Sequence, residues 1–131
     1  MNLQSLRIIT ADIKRLVGFF EKITNLPATW YTEDFAEINA GNFTLAIGSI
    51  RTLALFGGDI AQAASNKSVI IEFKVDNVDA DYERIRDIAV DIVQKPTTMP
   101  WGNRSLLLRD PDGNLINFFT PVTPDAISKF S

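Results

Sequence analysis

The sequence predicts an α+β fold of two similar half-chains, each a strand, a helix and then several strands, and three observations carry that reading. Hydrophobic periodicity passes from two residues to about 3.6 and back, twice along the chain. The two apolar runs 105–108 and 115–119 flank Asp110-Pro111-Asp112-Gly113, where proline presets one turn dihedral and glycine tolerates positive φ, so residues 100–119 read as a β-hairpin. Finally, Gly41-Asn42-Phe43-Thr44-Leu45-Ala46-Ile47 can be laid against Gly113-Asn114-Leu115-Ile116-Asn117-Phe118-Phe119. A repeat of roughly half the chain predicts two units related by a pseudo-twofold axis, an internal pairing analogous to a dimer; chance similarity of two mixed halves is the alternative.

In chain order, residues 3–10 alternate Leu6 and Ile8 against Ser5, Arg7 and Ile9, as a strand covered on one side does. Thr10-Ala11-Asp12 offers capping side chains before Ile13, Leu16, Val17, Phe20 and Ile23, a helical apolar stripe that Asn25-Leu26-Pro27 stops. Residues 29–36 read as loop or ragged strand, and residues 37–40 and 43–47 as a hairpin closed by Gly41-Asn42. The apolar run 50–56 before Gly57-Gly58 fits strand or helix. Residues 1–58 form the first module, and the Ala-, Gln- and Ser-rich residues 59–67 the connection.

The pattern then restarts. In residues 68–75, Val69, Ile71 and Phe73 alternate against Ser68, Ile70, Glu72 and Lys74. Asn77-Val78-Asp79 precedes a charged amphipathic helix with Ala80, Ile85, Ile88 and Ala89 on its apolar side, and residues 90–94 lead through Lys95-Pro96 into the hairpin. The second module spans 68–122, with a tail at 123–131, all within a single domain of 1–131.

Composition narrows function by exclusion. A 131-residue chain that is 46% apolar can build a real core. Its 13 basic against 16 acidic residues give a net charge of -3 with no basic run, which argues against nucleic acid as partner. Without cysteine there is no disulfide, thiolate metal site or Cys nucleophile, and without histidine the commonest metal ligand and neutral-pH acid/base are missing. The N-terminus lacks a basic region leading into an apolar core, and the apolar runs are too short to cross a bilayer, so a cytoplasmic protein with no membrane partner is expected.

Three stretches together resemble the vicinal oxygen chelate superfamily, the glyoxalase/bleomycin-resistance/ring-cleaving dioxygenase group. They are the first strand and helix through Phe19-Phe20-Glu21, then residues 73–80 (Phe-Lys-Val-Asp-Asn-Val-Asp-Ala), then Trp101-Gly102 through Asp110-Pro111-Asp112-Gly113-Asn114-Leu115-Ile116. The resemblance implies two βαβββ modules pairing into a cupped mixed sheet with helices on the outer face. It also implies a homodimer, since such cups are commonly built between subunits. Enzymes of the group chelate a divalent metal through a His on a module's first strand and a Glu on its last. Carried over, those positions fall on Ser5 and Ile70, and on Leu45 and Asn117. A hydroxyl, an amide and two hydrocarbons make no such site, so neither metal nor other cofactor is expected.

If Ile71 and Phe73 face the helices, then Ser5, Arg7 and Ile9, Ile70, Glu72 and Lys74, and Leu115, Asn117 and Phe119 line the concave face, a mixture suited to a small organic ligand. Ion pairing of Arg7, Glu72 and Lys74 on a solvated face is the competing reading. Trp101 could close over a ligand or plug the core. Trp30, with Tyr31, Phe35, Glu33 and Asp34, could hold a flat or cationic guest, or form a partner contact or lid. Arg104 could meet an anion, whereas Arg109 is expected to brace the turn and Asn103 to bond local backbone. The resulting expectation is a metal-independent small-molecule binding protein similar to the bleomycin-resistance branch. The alternatives are a glyoxalase-like lyase or isomerase with a non-standard site, a metal-free proton shuttle on Glu72 if the cup buries it, and an interaction module with a filled face.

Overall fold

The computed structural model describes residues 1–88 and 91–131, in two compact units, Met1–Ser65 and Asn66–Ser131. The first unit runs β1 (Ser5–Thr10), α1 (Ile13–Thr24), β2 (Ala28–Thr32), β3 (Phe35–Asn39), β4 (Thr44–Ser49) and a 3-10 helix (Ile50–Phe56). Asp12 caps α1 by accepting from the Arg15 N–H at 3.2 Å, and Asn25 ends it in a left-handed conformation with φ of 56°. The expected stripe is buried, together with Phe19 on its flank. Burying a large apolar side chain stabilises by about 1.5–3 kcal/mol, so this stripe fixes α1 to one face of the sheet.

Sheet order is β1-β4-β3-β2, with β1 parallel to β4 and the other pairs antiparallel. Register assigns the faces, because paired residues point the same way. Leu6 pairs with Leu45, Ile8 with Ile47, and Ile38 and Ala36 continue that row on β3; the β3 and β4 members are fully or almost fully buried, which marks the helix-covered face. Ser5, Arg7 and Ile9 pair with Thr44, Ala46 and Gly48 on the opposite face, joined there by Glu37 and Phe35.

Of residues 29–36, expected as loop or ragged strand, 29–32 belong to β2, whose alternation is broken by an irregularity between Trp30 and Thr32. The run 50–56 is neither strand nor α-helix. Ser49 opens it as a 3-10 helix by accepting from the Arg51 N–H at 3.2 Å, and Gly57 closes it at φ of 95°.

The second unit repeats the plan with β5 (Ile70–Lys74), α2 (Val78–Ile85), β6 (Asp91–Thr98), β7 (Asn103–Arg109), β8 (Leu115–Pro121) and α3 (Pro124–Lys129). Its order, β5-β8-β7-β6, matches the first, again with first and last strands parallel. The fold is thus α+β, two four-stranded mixed sheets with helices. Asn77 caps α2 by accepting from the Ala80 N–H at 3.1 Å, and its buried side is Val78 and Ile85. Ala80, expected in that stripe, is exposed, because the cap places Val78 rather than Ala80 over the sheet. Ala89 and Val90 lie outside the described residues.

The β7–β8 hairpin turns as expected. Asp110 Oδ1 accepts from the Asp112 and Asn114 backbone N–H groups, both at 2.9 Å, and Oδ2 from the Asn114 amide at 2.7 Å. Burial pushes the Asp110 carboxyl up, against those hydrogen bonds, which lower it. The residues expected as a tail form α3, capped by Thr123, with the Phe130 ring tilted against Phe119 at 5.2 Å between centroids. Among the described residues, no helix is long and apolar enough to cross a membrane.

Candidate functional site

In each unit one sheet face carries the helix and the other is open. On the open face of the second unit, β5 contributes Ile70, Glu72 and Lys74, β8 contributes Leu115, Asn117 and Phe119, and β7 adds Asn103, Ser105 and Leu107. Ile71 and Phe73 point the other way, toward α2, as the alternation required. At the centre Glu72 and Asn117 are register partners, and the Asn117 amide donates to Glu72 Oε2 at 2.8 Å. Only an NH2 can donate to a carboxylate, so this bond fixes the amide's orientation. Asn117 Oδ1 is then buried and has no hydrogen-bond partner among the described residues, and Asn103 Oδ1 on the same face is in the same state.

A buried carbonyl oxygen without a donor costs about 1–3 kcal/mol. The unpartnered acceptor thus lies beneath the surface beside the exposed Glu72 carboxylate, on a face shared with Ile70, Leu115 and Leu107, and the carboxylate is the group that a donor on a ligand reaches directly. Glu72 itself is exposed, so the burial on which its proton-shuttle reading depended is absent from this unit. Phe119 is largely covered by Phe130 and offers little wall.

Several sequence candidates fall elsewhere. Arg104 pairs in register with Thr120 on the helix-covered face, where its Nε and Nη2 donate to Asp79 on α2 at 2.9 and 3.1 Å. It fastens α2 rather than facing the open side. Trp30 is in register with buried Ala36, so it too lies on the helix-covered face; Phe35 of that stretch lies on the open face, with the Tyr31 ring 6.1 Å from its own. Trp101 is 68% exposed in the turn before β7 and plugs no core within its unit. Arg109 donates to the Gly113 carbonyl at 3.0 Å, the expected brace. Asp34, expected in an acidic ligand loop, is bound by Ser49 Oγ at 2.8 Å and Arg51 Nε at 2.7 Å, and the guanidinium holds its carboxyl below the usual range.

The four metal-equivalent positions also need one correction. Ser5 and Ile70 are equivalent first-strand residues, and stepping along the two registers makes Ala46, not Leu45, the counterpart of Asn117. The hairpin loop is four residues long at 40–43 and five at 110–114, so matching the two Gly-Asn pairs slides the strands by one residue. Leu45 faces α1. By face, the central pair is Arg7 with Ala46 in the first unit and Glu72 with Asn117 in the second. A guanidinium, a methyl group, one carboxylate and an amide do not fit a divalent metal, and among the described residues no group of three or more His, Cys, Asp or Glu could hold one.

Comparison with known proteins agrees with this architecture. The sequence model of the glyoxalase/bleomycin resistance protein/dioxygenase superfamily matches residues 2–118. The uncharacterised protein YraH of Bacillus subtilis is 27% identical over 125 residues, covering 91% of this chain and 98% of that protein. A glyoxalase/bleomycin resistance protein/dioxygenase family enzyme from Burkholderia phytofirmans superposes with a TM-score of 0.83 at 16% identity, over 93% of this chain and 100% of that one. An integron cassette protein from the mobile metagenome of Vibrio cholerae reaches 0.68 at 26% identity, over 92% and 94%.

Proposed function

Because this chain belongs to the glyoxalase/bleomycin resistance protein/dioxygenase superfamily, we propose that it binds a small organic molecule without a metal ion and without changing it, like the bleomycin-resistance branch of that family. The observation that carries the reading is the unpartnered Asn117 Oδ1 beside the Glu72 carboxylate on an open, partly apolar sheet face. Such a pair suits a ligand with an ammonium or amide N–H donor and an apolar body. Ser5, Arg7, Ile70, Glu72 and Asn117 are the residues assigned to ligand contact. A homodimer in the cytoplasm belongs to the same proposal, and light scattering checks the oligomeric state.

The test is a thermal-shift screen of the full chain against bleomycin and hydrophobic primary amines, with EDTA or with zinc, nickel, manganese or iron(II). Stabilisation by an amine that EDTA does not diminish supports the proposal. Metal-dependent turnover of any screened compound refutes it. A second reading, a proton-transfer lyase or isomerase, would use the same carboxylate, which the Asn117 amide orients on the open face. Glu72→Gln abolishes turnover under the second reading and only weakens amine binding under the first.

A further inference from the structure

The open face of the first unit has different chemistry from that of the second, and it points to a different ligand group. Arg7 occupies on β1 the place that Glu72 occupies on β5. Its side chain lies across β4, and its guanidinium carbon sits 4.8 Å from the Phe35 ring centroid on β3, two strands away. Reaching that far over a sheet requires a low central strand, and β4 supplies Ala46 and Gly48 beneath the arm. A Cβ on Gly48 would meet the Arg7 Cδ at 3.7 Å, Ile9 Cδ1 at 3.6 Å and Thr52 Oγ1 at 3.1 Å, so the space a side chain would fill is already occupied by the arm and its neighbours. The Phe56 ring at the end of the 3-10 helix lies 5.9 Å from the same guanidinium, and Tyr31 lies 6.1 Å from Phe35.

Contact with ring faces engages the guanidinium's π surface and leaves its in-plane N–H donors for another partner. No protein group takes them: among the described residues Arg7 has neither an ion pair nor a side-chain hydrogen bond, unlike Arg51, Arg84, Arg86 and Arg104. Glu37 shares the face without pairing to it. Phe56, 57% exposed, stands beside those donors, and Tyr31, 62% exposed, extends the aromatic surface from Phe35.

We propose that Arg7, held over Ala46 and Gly48 by Phe35 and Phe56, is a receptor for an aromatic carboxylate. The carboxylate would take the guanidinium edge in a paired hydrogen bond while the ring packs on Phe56 and Tyr31. The inference rests on the reading that open sheet faces of this chain take small molecules, and adds the ligand class for the first unit. Amine binding through Glu72 with no carboxylate binding through Arg7 would remove this inference alone; loss of both would remove the underlying reading.

The experiment titrates the full chain with 2-naphthoate by calorimetry and follows the Arg7 Nε–H resonance. The comparison ligands are inorganic phosphate and the neutral 2-naphthalenemethanol. Binding of 2-naphthoate that shifts the Arg7 resonance is expected, with a loss of roughly 10- to 100-fold in Arg7→Gln and a smaller loss in Arg7→Lys, which keeps charge but not the planar fork. Absence of binding to the folded wild-type protein, an unmoved Arg7 resonance, or full affinity in Arg7→Gln overturns the proposal. Phosphate binding as tightly as 2-naphthoate overturns it as well, because the aromatic wall would then contribute nothing. If Arg7→Gln does not fold, the wild-type resonance and Arg7→Lys still decide.

Discussion

Replacing Asn117 by leucine, which keeps the branching at Cγ, separates a residue retained for stability from one retained for a ligand. The substitution removes one hydrogen bond, from the Asn117 amide to Glu72. An intramolecular hydrogen bond contributes about 0.5–1.5 kcal/mol, with the lower part of that range appropriate here because Glu72 is exposed and screened. Against this, the variant no longer buries the unpartnered Oδ1, whose burial costs about 1–3 kcal/mol. The new side chain meets Leu107 and Leu115 on neighbouring strand positions. The terms sum to a change between neutral and about 2.5 kcal/mol more stable, with loss of amine binding. Urea unfolding of the ligand-free protein measures the first quantity and the thermal-shift screen the second. A loss of more than about 2 kcal/mol would refute the reasoning, since Asn117 would then be holding the sheet together.

Two further perturbations follow from local geometry. Gly102→Ala must destabilise the second unit, because residue 102 has φ of 94° and an added Cβ would stand 2.1 Å from Thr123 Oγ1 and 3.0 Å from Ala126 Cβ. The left-handed backbone alone costs about 1–2 kcal/mol, and the collision with the cap of α3 adds to it, so wild-type stability in urea would contradict the placement. The two perturbed carboxyls give opposite pH dependences. Asp34, lowered by Arg51, contributes stability that is present above its ordinary value of 3.8 and is lost as pH falls through its folded value. Asp110, raised by burial, contributes stability that is full below 3.8 and is lost as pH rises through its folded value. Acid unfolding midpoints for Asp34→Asn and Asp110→Asn should therefore move differently relative to wild type, and identical shifts would contradict the assigned causes.

What the sequence disclosed is what periodicity and short-range turn chemistry encode. Helix α1 showed itself through five apolar positions between an aspartate cap and an Asn-Leu-Pro stop, and the β7–β8 hairpin through a turn whose hydrogen bonds are all within five residues. The doubled architecture was legible for the same reason, each unit repeating one order of periods. Strand β2 could not be told from loop because the irregularity at residues 30–32 shifts its alternation. Faces that depend on register were the weak point: one extra residue in the second hairpin loop moved Leu45 to the wrong side. The Arg7–Phe35 stack and the Arg104–Asp79 pair join residues 28 and 25 positions apart, and no local pattern announces either. The small residues at 46 and 48 were a usable signal for the first, since a central strand seldom lowers one face without something lying across it.

The most direct test is elemental analysis of the intact protein after incubation with excess zinc, nickel, manganese and iron(II) and removal of unbound ions. A protein whose open faces present a guanidinium, an amide, a methyl group and one carboxylate at their centres should retain far less than one transition-metal ion per chain. Retention of one ion per chain, lost on Glu72→Gln, would contradict metal-independent binding and put the chain among the metal-using members of its family.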